Sequence, residues 1–431
     1  MRTAVIVLGD VGRSPRMQYH AVSLAAAGGE VDLIGLEGAA PIPAVATSAR
    51  IRVHRLRDRA FAGRARGGVR RFVWGSALRA VGQGVRLFGT LMRIPRPDVI
   101  LVQNPPAVPA LSIAWLAARI RRSRLVIDWH NLSHTIAAVK VGDHHRAVKA
   151  LARSERRWAK RADGHLAVSK ALADWLAREY RVTPVVTYDR PSDAFAPPTP
   201  AAASALWNTL AAQYQFGSTD PTAPSPRGGG PSTRPPIVVC PTSWTPDEDF
   251  DLLLEALERA ERKLTGNAGR GDIPSGMSTP ALAVFLTGRG PQREAFEQRA
   301  ARRNFKAIAV KALWLEPADY PTLVGMANIG LCLHQSSSGL DLPMKLADLR
   351  GAGVPVATYD YAPVLGEVMT TGREGVTFRD PGELANLLVT VASQTMTADS
   401  ALGQSRSWLA QHPPERWDAQ WDATARRVLL A

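Results

Sequence analysis

Cysteine is almost missing from this chain: Cys240 and Cys332 are the only two among 431 residues. They lie far apart, each in or ending an apolar run. That excludes a disulfide framework or a zinc site and implies buried thiols in a reducing compartment. No apolar stretch reaches the ~20 residues that a membrane-spanning helix needs. The longest, around Val108 to Ile120, runs out among Arg119, Arg121 and Arg122. Met1-Arg2-Thr3 leads straight into the strand-like Ala4 to Leu8, so no signal-peptide core is present. Gly-x-Gly-x-x-Gly does not occur at the first strand–helix junction, which removes the fingerprint of a dinucleotide site. No short tandem repeat is visible. Acidic residues are too few to balance the basic ones, and the formal net charge is +15. Nucleic acid and anionic membrane are the usual partners of such a balance.

What is present is a chain too long for one core, built of short β-branched runs alternating with helical patterns. Val5 to Leu8, Glu30 to Leu36, Asp98 to Val102, Leu125 to Asp128 and His165 to Val168 read as strands of the first half. Ile237 to Cys240, Leu282 to Leu286, Ile329 to Leu333 and Val354 to Thr358 read as strands of the second. A helix is expected from about Arg16 to Ala27, closed by Gly28-Gly29. Strand–helix alternation implies parallel, doubly wound sheets, hence an α/β protein with two facing Rossmann-like domains and a cleft between them. The expected divisions are residues 1–195 for the first domain and 196–236 for a Pro/Gly/Ser-rich disordered insertion or linker. Residues 237–405 make the second domain, and 406–431 a helical segment packing back on the first.

The stretch from Gln335 to Asp348 carries the strongest chemical pattern. A small-residue turn at Ser336, Ser337, Ser338 and Gly339 precedes an expected helix bearing Asp341, Lys345 and Asp348. Turn amides at a helix start favour an anion, and carboxylates seven apart share a helix face. This suits a nucleotide sugar: amides and Lys345 for the diphosphate, Asp341 and Asp348 for sugar hydroxyls. The loop Gly9-Asp10-Val11-Gly12-Arg13-Ser14-Pro15 follows the first strand, where glycines at 9 and 12 permit close backbone approach, although an ordinary turn has the same composition. Asp128-Trp129-His130-Asn131 ends another strand; His130 is a candidate general base, or a loop histidine beside a packed tryptophan, with Asp128 to orient it. Thr287-Gly288-Arg289-Gly290 offers Arg289 to a phosphate, or is a plain turn. Trp314 reads as core more readily than as a base-stacking platform. Thr245-Pro246-Asp247-Glu248-Asp249 contains Asp-x-Asp, but cap chemistry explains it better, with Thr245 as N-cap, Pro246 at N1 and Glu248 completing a capping box.

From Arg59 to Pro97 there are nine arginines and no acidic residue. Arg64, Arg70, Arg71, Arg79 and Arg86 alternate with Phe72, Trp74 and Phe88, the pattern of a basic amphipathic helix at a membrane interface, although Gly75, Gly82, Gly84 and Gly89 oppose a helix. A core-facing helix with a solvated basic face is the plainer alternative. No recognised nucleic-acid motif accompanies the charge.

Several blocks, in the same order, resemble the chitobiosyldiphosphodolichol β-mannosyltransferase family. They are Gly9 to His20, Val102 to Pro106, Ile127 to Asn131, Tyr188 to Pro191, Thr242 to Thr245 and Ser336 to Lys345. They span nearly the whole chain. The resemblance implies a GT-B glycosyltransferase that moves mannose from GDP-mannose to the 4-hydroxyl of the outer GlcNAc on dolichol-diphosphate chitobiose. It also implies inversion, no metal and no cofactor, and peripheral attachment to the cytosolic face of the endoplasmic reticulum. Expected partners are GDP-mannose, the lipid-linked chitobiose, a membrane surface and other dolichol-pathway glycosyltransferases, with no nucleic acid. Donor contacts are expected from Lys345, Asp341, Asp348, Ser337, Ser338, Gly339, Arg289, Gly288 and Trp314, with Gly9, Gly12, Arg13 and Ser14 as the N-terminal loop of the site. His130 is the expected base, with Asp128 and Asp10 behind it. Family members commonly open on a hydrophobic anchor, a pattern these residues do not show. The Arg and Lys with which related retaining transferases hold phosphate correspond here to Ser243 and Glu248. A different lipid-linked-sugar transferase and a non-catalytic membrane-binding scaffold are the competing expectations.

Overall fold

The structure, a computed structural model, describes residues 1–57, 69–214, 234–266, 280–393, 396–397 and 399–431, with backbone alone for 69–79. Two compact units emerge: Met1–Asp189 with Trp417–Ala431, and Arg190–Arg416. The chain leaves the first unit at Asp189, and of the final segment only the residues from Trp417 onward return to it.

The first unit holds strands β1 (Arg2–Asp10), β2 (Glu30–Leu36), β3 (Ile51–Leu56), β4 (Val99–Asn104), β5 (Arg124–Trp129), β6 (Gly164–Ala167) and β7 (Val185–Val186). They form one parallel sheet in the order β3-β2-β1-β4-β5-β6-β7. Around it lie α1 (Pro15–Ala26), α2 (Pro43–Ala46), α3 (Val69–Arg93), α4 (Ala110–Arg121), α5 (Ser133–Val141), α6 (Arg146–Ala159) and α7 (Lys170–Tyr180). The second unit begins with α8 (Pro200–Tyr214) and continues with β8 (Ile237–Pro241), α9 (Phe250–Gly266), β9 (Leu282–Thr287), α10 (Arg293–Arg303) and β10 (Ile308–Leu313). Next come α11 (Asp319–Met326), β11 (Ile329–Cys332), α12 (Lys345–Gly351), β12 (Val356–Tyr359), β13 (Gly375–Phe378), α13 (Pro381–Ala392) and α14 (Ala401–Gln411). Its sheet is again parallel, β10-β9-β8-β11-β12-β13. Finally α15 (Trp417–Ala423) and α16 (Ala425–Leu429) pack with the first unit.

Apolar runs make the central strands. Val5, Ile6, Ile100, Leu101 and Val102 are fully buried, as are Val238, Val239, Val284 and Phe285, because a parallel sheet is covered on both faces. In each unit the strand order reverses beside the first strand, between β1 and β4 and between β8 and β11. Loops at the carboxyl ends of the strands gather there, where open α/β sheets bind ligands.

Three expectations change. The stretch 196–236 is not uniformly an unstructured linker. Its first part is α8, whose Trp207 and Leu210 are buried, while 215–233 lie outside the described residues. α3 forms through all four of its glycines. Gly84 lets α3 approach α4, since a Cβ there would lie 3.3 Å from Pro109. Gly12 approaches another backbone and not open space, because a Cβ would meet the carbonyl oxygens of Ala40 and Ala39 at 2.4 and 2.5 Å. Among the described residues no helix is long and apolar enough to cross a membrane.

Gly12→Ala is therefore expected to destabilise the first unit by ~1–3 kcal/mol, the usual range for forced overpacking. Urea unfolding followed by tryptophan fluorescence checks this, and an unchanged midpoint would place the loop elsewhere.

Candidate active site residues in two units

In the first unit the centre is Asp128, at the end of β5 and fully buried. Arg16, from the first turn of α1 and 1% exposed, grips both of its oxygens: Nε donates to Oδ2 at 2.8 Å and Nη2 to Oδ1 at 2.9 Å. The remaining nitrogen, Nη1, donates to the Thr187 carbonyl and to Asp189, each at 2.9 Å. Burial alone would lower the Arg16 pKa, but Asp128 and Asp189 reverse that and hold it above its ordinary value. Burial likewise opposes the Asp128 anion, yet Arg16 and His130 keep its pKa well below the carboxylate range. Asp128 is thus a fixed anion that does not accept a catalytic proton.

Because that carboxylate can only accept, His130 Nε2, 2.8 Å from Oδ2, must be the donor. That proton faces the carboxylate, on a ring whose side chain is 19% exposed. The His130 backbone N–H is tied to the Asn104 carbonyl at 2.8 Å, which fixes the loop. His20 completes the cluster. It is buried and its pKa is lowered by burial, so it is neutral. Trp421 of α15 donates its indole N–H to His20 Nδ1 at 3.0 Å, which leaves the proton on Nε2, 3.3 Å from Asp128. A second α15 indole, Trp417, lies with its ring 5.5 Å from the Arg16 guanidinium.

Asp10 is not available as a base. Its Oδ1 accepts from Gly12 N–H, and both oxygens accept from Ala39 N–H, all at 3.0 Å. It caps the short 3-10 turn Val11–Arg13, and Ser14 Oγ donates back to its carbonyl. Gly9 precedes this turn, and Arg13 ends it with its side chain exposed.

In the second unit the loops after β8 and β11 interlock. Lys345 donates to Glu248, whose other oxygen accepts from Ser243 N–H at 2.9 Å. The Glu248 side chain is 1% exposed, so this is a buried ion pair and not a capping box. Burial would lower the Lys345 pKa, but Glu248 outweighs it and the ammonium stays charged. The cap of α9 is Asp249 instead, accepting from Leu252 N–H at 2.9 Å. The helix after the serine turn begins only at Lys345, so Asp341 and Asp348 do not share a helix face. Asp348 lies in the first turn of α12. Asp341 is folded into the turn, accepting from Ser336 Oγ and from Ser338 Oγ. The turn amides are largely used internally: Ser338 and Gly339 donate to Ser336 Oγ, and Leu340 donates to Ser338 Oγ. Ser337 sits between them, half-buried.

His334 was not foreseen. Its Nδ1 lies 3.1 Å from Asp247 and its Nε2 3.1 Å from Asp341. Two acceptor partners require both ring nitrogens to carry protons. Burial pulls its pKa down, but the two carboxylates raise it to about 9, so it is an imidazolium at neutral pH. Asp247 is thereby engaged with His334 and Asp249 with a helix end, so the Asp-x-Asp string is structural. Trp314 is 41% exposed and not core; the Arg289 guanidinium lies 3.8 Å from its ring centroid. Gly288, with φ of 104° and its Cβ position 2.0 Å from the Thr242 carbonyl, is required for the turn that carries Arg289.

Of the interfacial residues, Arg64 lies outside the described residues, and Arg70, Arg71, Phe72, Trp74 and Arg79 are described by backbone only. Arg86 and Phe88 are half-buried.

Two outcomes follow from these charges. Arg16→Leu strands Asp128 in the core and is expected to cost ~3–5 kcal/mol, the usual penalty for breaking a buried ion pair; chemical denaturation of the variant checks it. His334 is raised from an unfolded value near ~6.5 to about 9 in the fold. Its contribution is therefore complete below pH ~6.5 and disappears as pH rises through about 9. Thermal melts across that window should show the second unit losing stability, and His334→Gln should flatten the loss.

The chain matches the Glycosyl transferase 4-like domain family over residues 12–188. It is 36% identical to chitobiosyldiphosphodolichol beta-mannosyltransferase of Mus musculus, over 99% of this chain and 88% of the relative. It is 34% identical to the Homo sapiens protein of the same name, over 99% and 92%. UDP-glycosyltransferase TURAN of Arabidopsis thaliana is 33% identical over 99% and 97%. Among solved structures, Anabaena HepE in complex with UDP and glucose superposes with a TM-score of 0.64 at 16% identity, covering 100% of both chains. WaaG, a glycosyltransferase involved in lipopolysaccharide biosynthesis, gives 0.61 at 13% identity, covering 98% of both. Two parallel α/β units with these neighbours make the fold GT-B, and the full-length identities make the chain a glycosyltransferase belonging to the chitobiosyldiphosphodolichol β-mannosyltransferase family.

Proposed function

We propose that this chain transfers mannose from GDP-mannose to the 4-hydroxyl of the distal GlcNAc of a lipid-diphosphate-linked chitobiose, with inversion, forming a β-1,4 link. The observation that carries the reading is the kinship above 30% with mannosyltransferases of that name across nearly all of both chains. The site chemistry supports it. An inverting displacement needs one base on the acceptor side; in this scheme His130, its Nε2 proton held against Asp128, takes the hydroxyl hydrogen on Nδ1. The acceptor oxygen bonds to the anomeric carbon as the bond from that carbon to the diphosphate breaks, and GDP departs.

Donor binding belongs to the second unit. Lys345 carries three N–H groups; Glu248 occupies one, and the leaving diphosphate takes another. Arg289 supplies a second cation, and Trp314 beneath it a face for the guanine ring. Asp348 and the serine turn, held by Asp341 and His334, meet sugar hydroxyls. The reaction needs no cofactor or metal in this scheme. The workplace of such an enzyme is the cytosolic face of the endoplasmic reticulum, where it is held peripherally through the arginine-rich α3 and meets neighbouring enzymes of the same lipid pathway. The name of the Arabidopsis relative favours one competing donor class, a UDP-sugar.

Incubation with a lipid-diphosphate chitobiose and either GDP-mannose or UDP-glucose separates the two. The expected product is a β-mannoside from GDP-mannose, seen from its anomeric coupling by NMR; an α-product, or transfer only from UDP-glucose, contradicts the proposal. His130→Ala should lower kcat by about 10²–10⁴-fold while leaving GDP-mannose affinity in place. Lys345→Ala should lower kcat by about 10²–10³-fold. Calorimetry with GDP, beside the rates, distinguishes lost chemistry from lost binding.

A further inference from the structure

α3, α4 and α6 lie side by side in the first unit. Gly84 of α3 packs on Pro109 and Ile113 at α4, and Trp115 of α4 meets Trp158 of α6 with ring centroids 5.2 Å apart. Together the three helices carry twelve basic residues and one acidic residue, Glu155. Glu155 is fully buried, turned toward Asn104, Ser133 and His134. The outward face therefore has no carboxylate from any of the three helices. Helices α9 and α10 of the second unit contrast with this. They mix seven basic with six acidic residues, and pairs such as Arg299–Asp251 and Arg303–Glu258 neutralise them.

The basic residues are not scattered. On α6 and at its C-cap Lys160, the basic residues Arg146, Lys149, Arg153, Arg156, Arg157 and Lys160 are all exposed and recur at helical spacing, opposite buried Val148, Glu155 and Ala159. Beside this stripe stand uncovered aliphatic side chains: Val81 at 65% and Val85 at 67% exposure on α3, and Leu116 at 39% and Ile120 at 54% on α4. Arg161 lies 5.7 Å from the Trp158 ring and 6.0 Å from Trp115, and Arg157 lies 5.1 Å from Trp158. Such a Trp–Arg layer suits the headgroup zone, with indoles at the apolar boundary and guanidinium groups at phosphate depth.

We propose that α4 and α6, with the C-terminal half of α3, form a docking surface for an anionic lipid bilayer. This extends the membrane contact beyond α3 and rests on the proposed function only in presuming a lipid-borne acceptor. Charge complementarity selects a polyanion, and the aliphatic side chains select a bilayer over nucleic acid. Valine, leucine and isoleucine gain from entering the acyl boundary and gain nothing on a phosphate backbone.

The test uses the full chain and phosphatidylcholine vesicles with or without phosphatidylserine, in co-sedimentation at low and high salt. Wild type should bind the anionic vesicles and release them in high salt. Combined Lys149→Glu, Arg153→Glu and Arg157→Glu should weaken partition by at least about tenfold, and Leu116→Ser with Ile120→Ser should also weaken it. Equal reversal at Arg262, Arg302 and Lys306 in the second unit should leave binding in place. Circular dichroism melts confirm that each variant is folded. Unchanged binding of the α6 variant, or displacement of vesicles by duplex RNA at equal phosphate, overturns the proposal. Turnover of GDP-mannose on a short-chain, detergent-soluble acceptor is measured in parallel. If wild type makes no mannoside while vesicle binding still depends on α6, the functional reading fails and the surface stands.

Discussion

A single buried carboxylate organises the first unit. Asp128 is placed by a strand end where no water reaches it, and a lone anion there would be prohibitively costly. Arg16 on the next helix over the sheet satisfies it, His20 and His130 complete its shell, and α15 closes the cluster with two indoles. The return of the chain after the second unit is thus tied to the same charge that orients the candidate base. Remove the anion's ionised state and the tautomer of His130 is no longer defined.

The second unit solves a similar problem with two interleaved loops. Lys345 and His334 are both cationic, and Glu248, Asp247 and Asp341 are their counterions. Each cation is paired within the loops themselves. In the proposed reading a diphosphate competes for the remaining N–H groups and does not meet a bare positive cavity. Preorganised donors of this kind lower the reorganisation needed as the leaving group gains charge.

The sequence made the central strands legible because they are continuous apolar runs, buried on both faces. β3, β7, β10 and β13 were not foreseen, and they are the four sheet edges. An edge strand is covered incompletely, so Ile51 to Leu56 and Ile308 to Leu313 carry polar residues that break the run. The pattern from Gln335 to Asp348 suggests a helix carrying Asp341, Lys345 and Asp348, and the structure differs. Pro343 and the serine hydroxyls hold the chain out of a helix until Lys345, which separates Asp341 from Asp348. Arg16, His20 and His334 escaped notice because their roles depend on partners distant in the chain, such as Asp189 for Arg16 and Asp247 for His334. Glu248 was assigned to local capping for the same reason: its real partner, Lys345, lies 97 residues on. Periodicity reports local geometry, whereas buried ion pairs are properties of the assembled sheet.

In the proposed mechanism an ionised Asp128 keeps a proton on His130 Nε2, so that Nδ1 takes the hydrogen of the acceptor hydroxyl. Long-range ¹H–¹⁵N correlation of histidine-labelled protein, assigned by comparison with His130→Gln, reads this tautomer directly. The expected spectrum shows a pyrrole-type Nε2 and, in the neutral ring, a pyridine-type Nδ1. A pyrrole-type Nδ1, or rapid exchange between both forms, would contradict it.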